Sequence, residues 1–429
     1  MYLFGQTQRL PEKYQWEGAL RFETDLPLIF AWERSAEQSG AVGFGTALRC
    51  EALRAEDVPQ VLSRASGPFE IEWGGSVPCP YGPWFGGLAF DTRQTSVDWK
   101  GFSKTAWNIP ELLFWRGPTG CFVSQLGVRR PSALRIPPQP ASVTAGQREA
   151  KAHLELVEDH NDWTRRVKIA TQSIAREDLI KVVVARAIDV AQDVEFDPLR
   201  LFEALRSEAP TSTLFLIRSA EGDCFLGASP ETLLRVRGRT LETEAIAATA
   251  TSREAAVSLY RDKERREQEW VSVGIREALE KFTDGLEIDS NPSLLELKGM
   301  SHLKSKVRAM IRSDANLSDI LLRLHPTPAV GGLPKEAALD FIAHHEGFDR
   351  GWYAGAVGWL GPGSADLSVA IRSALVRGRQ ARLFVGAGIV SGSLPEDEWA
   401  ETRVKSEVML RAFRGAQQSR RPRAGADAA

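Results

Sequence analysis

Strand signals and helix signals follow one another along this chain without the strict alternation that a doubly wound parallel sheet demands, and no other feature limits its fold so much. The first 125 residues are rich in Gly, Pro and Trp and read as short strands and turns, as in Phe69-Glu-Ile-Glu-Trp73 and Trp84-Phe-Gly-Gly-Leu-Ala-Phe-Asp91. Helical periodicity is scarce there. Residues 129–150 are proline-rich and carry neither period, which predicts a linker or excursion. Beyond it, Asp162 is placed to cap a helix whose apolar positions Trp163, Val167, Ala170 and Ile174 share one face. The β-branched run from Leu179 to Val190 predicts a strand with Lys181, Val183 and Ala185 on one face and Val182, Val184 and Arg186 on the other.

Further strands are expected at Thr213 to Ile217, Cys224 to Gly227, Leu233 to Val236, Tyr353 to Leu360, Leu367 to Ala374 and Ala381 to Val390. Helices are expected at Ser252 to Lys281, Lys335 to His345 and Glu398 to Arg411, and residues 415–429 read as a disordered tail. The expected class is therefore α+β. With 54 Lys+Arg against 56 Asp+Glu the net charge is -2, which implies no polyanionic or polycationic partner and makes nucleic acid an unexpected one. Cys50, Cys79, Cys121 and Cys224 form no CxxC pair, so neither a zinc site nor a disulfide framework is expected, and a reducing cytoplasm fits best. No signal-peptide pattern opens the chain and no apolar run is long enough to span a membrane.

Acidic residues in helical registers form the first chemical constellation. Glu264 and Glu267 are three apart, as are Glu398 and Glu401, so each pair shares a helical face; two such faces meeting would suit Mg²⁺, although an acidic pair on a helix is more often simply solvated. Glu231, after Ser229-Pro230, ends an apolar stretch and is a candidate general acid if a base faces it. Lys181 is the candidate base, because burial depresses a lysine's pKa; the alternative is an edge-strand lysine that discourages aggregation. Gly386-Ala-Gly-Ile-Val-Ser-Gly392 is a near miss to a dinucleotide fingerprint and Gly331-Gly-Leu-Pro-Lys335 lacks the spacing of a P-loop. Both suggest close backbone approach to an anion, with Arg372 and Lys405 as partners. His325, among prolines, is the most distinctive histidine, while His302, His344 and His345 read as packing or surface residues. No HExxH or G-x-S-x-G pattern occurs, which removes zinc-hydrolase and serine-hydrolase readings.

Several blocks in order resemble the chorismate-utilising enzymes, the family of isochorismate, salicylate, anthranilate and aminodeoxychorismate synthases. They are Lys181-Val-Val-Val-Ala-Arg186, Gly227-Ala-Ser-Pro-Glu231, Thr243-Glu-Ala-Ile-Ala-Ala-Thr249, Asp262-Lys-Glu-Arg-Arg-Glu267, Leu324-His-Pro-Thr-Pro-Ala-Val-Gly-Gly332, Arg350-Gly-Trp-Tyr-Ala-Gly355, Val369-Ala-Ile-Arg-Ser-Ala374, and Gly386 to Val390 continuing through Pro395 to Lys405. The resemblance implies one large α+β domain, like anthranilate synthase component I, with two packed sheets and surrounding helices. The catalytic region would be 151–414, and residues 1–128 a strand-rich part of the same fold. It further implies chorismate as substrate, Glu267 and Glu401 as Mg²⁺ ligands, and Glu264 and Glu398 in an outer role through water. Arg372, Lys405 and the backbone of Gly386, Ala387 and Gly388 would receive carboxylates, and Thr249, His325 and Ala329 would line the pocket. Lys181 would activate the water that attacks C2, and Glu231 would protonate the hydroxyl leaving C4.

Within the family the resemblance is closest to isochorismate synthase. Lysine at 181 resembles the water-activating members, whereas ammonia-using members typically have glutamine there. Ala247 replaces the nucleophilic lysine of aminodeoxychorismate synthases, and Ala329 stands where salicylate and anthranilate members tend to carry threonine. No glutamine amidotransferase subunit is then expected. Salicylate synthase, which continues by eliminating pyruvate, is the alternative activity, and a non-catalytic anion-binding protein of the same fold is a further one. Isochorismate could feed menaquinone, a catecholate siderophore or salicylate. Two departures stand out: Ala248 replaces the glycine of the usual Ala-Gly-Thr, and Phe384 a tyrosine or arginine that bonds a substrate carboxylate.

Overall fold

Period-two alternation builds most of this molecule. The computed structural model describes residues 2–129, 154–250 and 262–418, apart from 13, 15, 23, 75–78 and 95–96. Among them, strands from both halves of the chain interleave in two large sheets. The first runs in the order Glu155–Val157, Lys181–Ala191, Gln380–Ile389, Ser373–Arg377, Cys224–Ser229, Thr213–Arg218, Leu28–Arg34, Ser39–Phe44, Leu112–Gly117, Gly120–Gly127, Tyr2–Arg9 and Glu70–Gly74. The second runs Thr283–Ile288, Met300–Ile311, Thr240–Ala250, Thr232–Arg237, Ser364–Val369, Ala356–Gly361, Trp84–Leu88, Thr105–Ile109 and Leu48–Ala52. N-terminal strands are thus stitched into the interior of both sheets: Leu28–Arg34 pairs with Thr213–Arg218, and Trp84–Leu88 with Ala356–Gly361.

Inward-facing side chains of the two sheets meet in an aromatic core. Phe30 of the first stacks on Phe85 of the second with ring centroids 3.9 Å apart, and Trp32 meets Trp359 edge-on at 6.4 Å. Fully burying one such side chain contributes about 1.5–3 kcal/mol. The helices Pro198–Glu208 and Pro395–Gln418 cover a second apolar cluster against the first sheet, where Phe196 meets Phe413. Because Phe413 is buried there, the last helix passes Arg411 and extends to Gln418. Residues 415–418 are therefore helical, not tail, and 419–429 lie outside the described residues, as do most of the expected excursion at 129–150 and residues 252–261 of the expected long helix.

Two local expectations need correction. The helix His160–Ala175 is capped by Asp159, whose carboxylate accepts the N–H of Asp162 at 2.8 Å, while Asp162 itself pairs with Arg165. The single strand expected from Leu367 to Ala374 is parts of two strands in different sheets, Ser364–Val369 and Ser373–Arg377. Lys335–His345 is helical as its periodicity predicts.

A buried ion pair ties together the elements that carry the site. Glu346 accepts the N–H of Ala185 at 2.7 Å, and Arg350 donates to Glu346, to Val183 O at 2.7 Å and to Val330 O at 2.8 Å. The strand bearing Lys181 is thereby fixed to the loop bearing Ala329. No helix among the described residues is long and apolar enough to cross a membrane.

Candidate active site

The chain changes sheets twice along one line, and each crossing leaves a charged residue in the interior. Cys224–Ser229 of the first sheet passes through Pro230 and Glu231 into Thr232–Arg237 of the second; Ser364–Val369 of the second returns through Ala370 to Arg372 into Ser373–Arg377 of the first. The crossings are bonded to each other, Ala228 N–H donating to Arg372 O at 3.0 Å and Val369 N–H to Glu231 O at 3.1 Å. Arg372 makes its turn at φ 51, which no glycine or proline announces. Both side chains are buried. Burial pushes the Glu231 carboxyl up to about 8, Glu244 adding to the effect and Lys181, Arg372 and Lys405 opposing it. Burial also pushes Arg372 down to about 10, so it remains cationic at neutral pH, and its guanidinium donates to the Met300 thioether at 2.9 Å.

Lys181 opens the strand Lys181–Ala191 and is 1% exposed. Its Nζ donates to Glu267 Oε1 at 2.8 Å, from the helix Asp262–Leu279. The lone desolvated lysine expected from sequence is therefore half of an ion pair, because an uncompensated buried ammonium is far more costly than a paired one. Glycine at 388 makes room for the pair: a Cβ there would lie 2.7 Å from Glu267 Oε1 and 3.1 Å from Lys181 Cε.

The helix Pro395–Gln418 presents Asp397, Glu398, Glu401 and Lys405 to the same space. Lys405 pairs with Glu401 at 2.5 Å and donates to Gly386 O at 3.1 Å. In an antiparallel strand a residue's N–H and C=O point to the same side, so the N–H of Gly386 also faces this helix. Thr249 donates to Glu401 at 3.2 Å. His302 Nδ1 lies 3.0 Å from Ala248 O. A carbonyl only accepts, so Nδ1 carries the proton and Nε2 a lone pair; burial, then Arg372 and Lys405, push this histidine down to about 3 and keep it neutral.

These groups enclose a cavity of about 220 Å³. Lys181, Glu231, Thr249, Ala329, Arg372, Gly386, Gly388 and Lys405 all line it, together with Glu267, Glu398 and Glu401. Carboxylates from two distant helices, Glu267 on one and Glu398 and Glu401 on the other, thus share one space, and their oxygen-only chemistry fits Mg²⁺. The side chain of Glu264 lies outside the described residues. Among the described residues no three His, Cys, Asp or Glu side chains are already grouped to hold a metal ion.

Two expected lining residues are elsewhere. His325 closes the helix Leu317–Leu324, bonds Ala89 O through Nε2 at 3.1 Å, and is packed into the core. Ala387, expected to contribute its backbone, alternates with Gly386 and Gly388 and pairs with Val184, so its N–H and C=O turn to the neighbouring strand. Conversely, His302 lines the cavity although it reads as a packing residue, as do Asp397 and Tyr353, which the sequence pattern does not single out. Phe384 contributes an apolar ring stacked on Tyr353 at 5.1 Å.

Ala248 sits at a register shift between Ala247 and Thr249, at φ 55. A non-glycine residue there costs about 1–2 kcal/mol, partly offset because glycine loosens the unfolded chain by about 0.5–1 kcal/mol. Ala248→Gly should therefore raise stability by up to about 1 kcal/mol, read as a higher melting temperature; a lower one would show that the bulge is not strained.

A cavity with three cations, a protonated carboxyl and a carboxylate cluster suits a small polycarboxylate. A family model described as chorismate binding enzyme matches residues 24–414, and the chain belongs to that family. It is 38% identical over 298 residues to the salicylate biosynthesis isochorismate synthase of Pseudomonas aeruginosa, a match covering 67% of this chain and 60% of that relative. It is 31% identical over 353 residues to isochorismate synthase MenF of Bacillus subtilis, covering 77% of this chain and 74% of the relative. Among solved structures, MenF, the menaquinone-specific isochorismate synthase of Escherichia coli, superposes with a TM-score of 0.77 at 26% identity, over 96% of this chain and 94% of that one. Anthranilate synthase component I of Streptococcus pneumoniae shares the fold, with a TM-score of 0.71 at 19% identity over 94% of this chain and 95% of that one.

Proposed function

We propose that this protein is an isochorismate synthase, a Mg²⁺-dependent isomerase that converts chorismate to isochorismate. The observation that carries this reading is the presence of Lys181 and Glu231 in one cavity whose other charged groups can hold the substrate's two carboxylates. Arg372, Lys405 and the N–H of Gly386 receive carboxylate oxygens and fix the ring. As its neutral amine, Lys181 takes the proton of a water whose oxygen bonds to C2, and Glu231 gives its proton to the hydroxyl whose bond to C4 breaks. One water is consumed and one released, so no cosubstrate and no amidotransferase subunit is needed. Glu231 suits the acid role because its buried carboxyl holds its proton to about pH 8.

Glu267 and Glu401 would hold Mg²⁺, with Glu264 and Glu398 reaching it through water. Bound there, the ion would neutralise the ring carboxylate and compete with Lys181 for the charge of Glu267. Ala329 leaves the adjoining wall apolar, which supports release of isochorismate over further elimination.

Purified protein given chorismate and Mg²⁺ should yield isochorismate as the chromatographic product, and added ammonium should yield little anthranilate. Anthranilate as the main product with ammonium would overturn the reading, since it would make ammonia the nucleophile.

A further inference from the structure

Glu231 is the acid in the reading above, yet the cations that face it work against that role. Lys181 approaches from the first sheet, Arg372 from the neighbouring crossing and Lys405 from the last helix, and each favours the ionised carboxylate. Glu267 and Glu401 are also near, but they are engaged with Lys181 and Lys405, while Asp397 and Glu398 of the last helix, neutral His302 and Tyr353 line the same cavity. One further anion approaches from behind. Glu244, on the strand Thr240–Ala250, does not line the catalytic cavity; it faces a separate polar surface hollow with Thr232, Arg235 and Lys304. Its Oε2 accepts the N–H of Thr232 at 3.3 Å, the peptide that joins Thr232 to Glu231, and its Oε1 accepts from Lys304 Nζ at 2.9 Å.

We propose that Glu244 is a positioning residue for the catalytic acid: bonded to the Glu231–Thr232 peptide from outside the cavity, it fixes where Glu231 points and sets its charge against ionisation of that carboxyl. The inference deepens the proposed function and rests on Glu231 being the acid. Lys304 holds Glu244 in place on the solvent side, so the anion persists without entering the substrate's space. Burial alone would have to outweigh three cations; Glu244 adds to burial, in agreement with the direction in which Glu231 is shifted.

The sign of the test follows directly. Removing the Glu244 charge lets the three cations pull the Glu231 pKa down, so Glu231 loses its proton at lower pH and activity fails earlier as pH rises. Glu244→Gln keeps an oxygen that can accept the Thr232 N–H and removes only the charge. With saturating Mg²⁺, the maximum of its kcat–pH profile should stay within about threefold of wild type, with KM little changed. Its alkaline limb should move down by about 0.5–1 pH unit, the scale expected of one partly screened charge several ångströms away. A merely structural role would lower kcat equally at every pH. A superimposable profile, or a uniform loss with no limb shift, beside an inactive Glu231→Gln control would overturn this inference and leave the acid assignment intact. A Glu231→Gln variant with wild-type kcat would overturn the assignment and the inference with it.

Discussion

Replacing Lys181 by Met or Glu231 by Gln should lower kcat by about 10²–10⁴-fold, the usual worth of one positioned general acid or base, while KM for chorismate changes far less. In the proposed scheme Arg372, Lys405 and the N–H of Gly386 hold the carboxylates, so removing either residue takes away proton transfer and leaves most of the binding in place. The two variants differ in what they do to the fold. Lys181→Met removes a cation from a buried pair and leaves Glu267, which is partly accessible, without its partner. Glu231→Gln removes a carboxyl that the interior already keeps neutral to about pH 8, so it should fold at least as well as wild type. Steady-state kinetics on purified variants decide the matter. Near-normal kcat in both would assign the acid and base to other residues.

Chelation should abolish turnover, and Glu401→Gln should raise the Mg²⁺ concentration needed for half-maximal rate severely, by about tenfold or more if a charged ligand is lost. Glu401 is the better choice for this test than Glu267. Neutralising Glu267 would strand the buried ammonium of Lys181, a change expected to cost about 3–5 kcal/mol and to confuse metal loss with unfolding. Glu401 keeps 21% side-chain exposure and its neighbour Lys405 retains Gly386 O as an acceptor, so the variant should stay folded. Direct titration of Mg²⁺ by calorimetry gives a readout independent of rate. Full activity in excess chelator would refute the carboxylate assignment.

Much of the site was legible in the sequence because the blocks that build it are locally distinctive even where their structure is not. Lys181 among β-branched residues, Glu231 after an apolar run, and glutamates on two helices could all be picked out, and the fold brings Lys181, Glu231, Glu267, Glu398 and Glu401 to one cavity. The splitting of Leu367 to Ala374 was hidden. Leu367-Ser-Val-Ala-Ile-Arg-Ser-Ala374 contains no glycine or proline to interrupt a strand, and the change of sheet depends on Arg372 accepting a left-handed backbone that residue type does not advertise. His325 was overread because prolines mark a turn, not a ligand; His302 was underread because it sits inside the strand Met300–Ile311 with no punctuation around it. That strand and its partner Thr240–Ala250 do carry a period-two signal, with Lys304, Lys306 and Arg308 outward against Leu303, Ser305 and Val307 inward, but their charged outer face masks it. The helices Val58–Ser66, Pro198–Glu208 and Leu317–Leu324 were passed over because they are only 8 to 11 residues long, although apolar positions such as Leu317, Ile320, Leu321 and Leu324 recur at helical spacing. Two of them were nonetheless announced by caps, the side chains of Asp197 and Asn316 accepting N–H groups of the first turn.

The central claim, that the cavity transposes a hydroxyl and goes no further, is tested most directly by approaching equilibrium from both sides. A transposition between similar carbons has a small free-energy change, whereas aromatisation is effectively irreversible. Protein with Mg²⁺ supplied with chorismate alone, or with isochorismate alone, should converge on the same chromatographic mixture of the two, with no pyruvate in a coupled assay. Pyruvate released mole for mole with chorismate consumed, and no return from isochorismate, would contradict the account and make the protein a salicylate synthase despite Ala329.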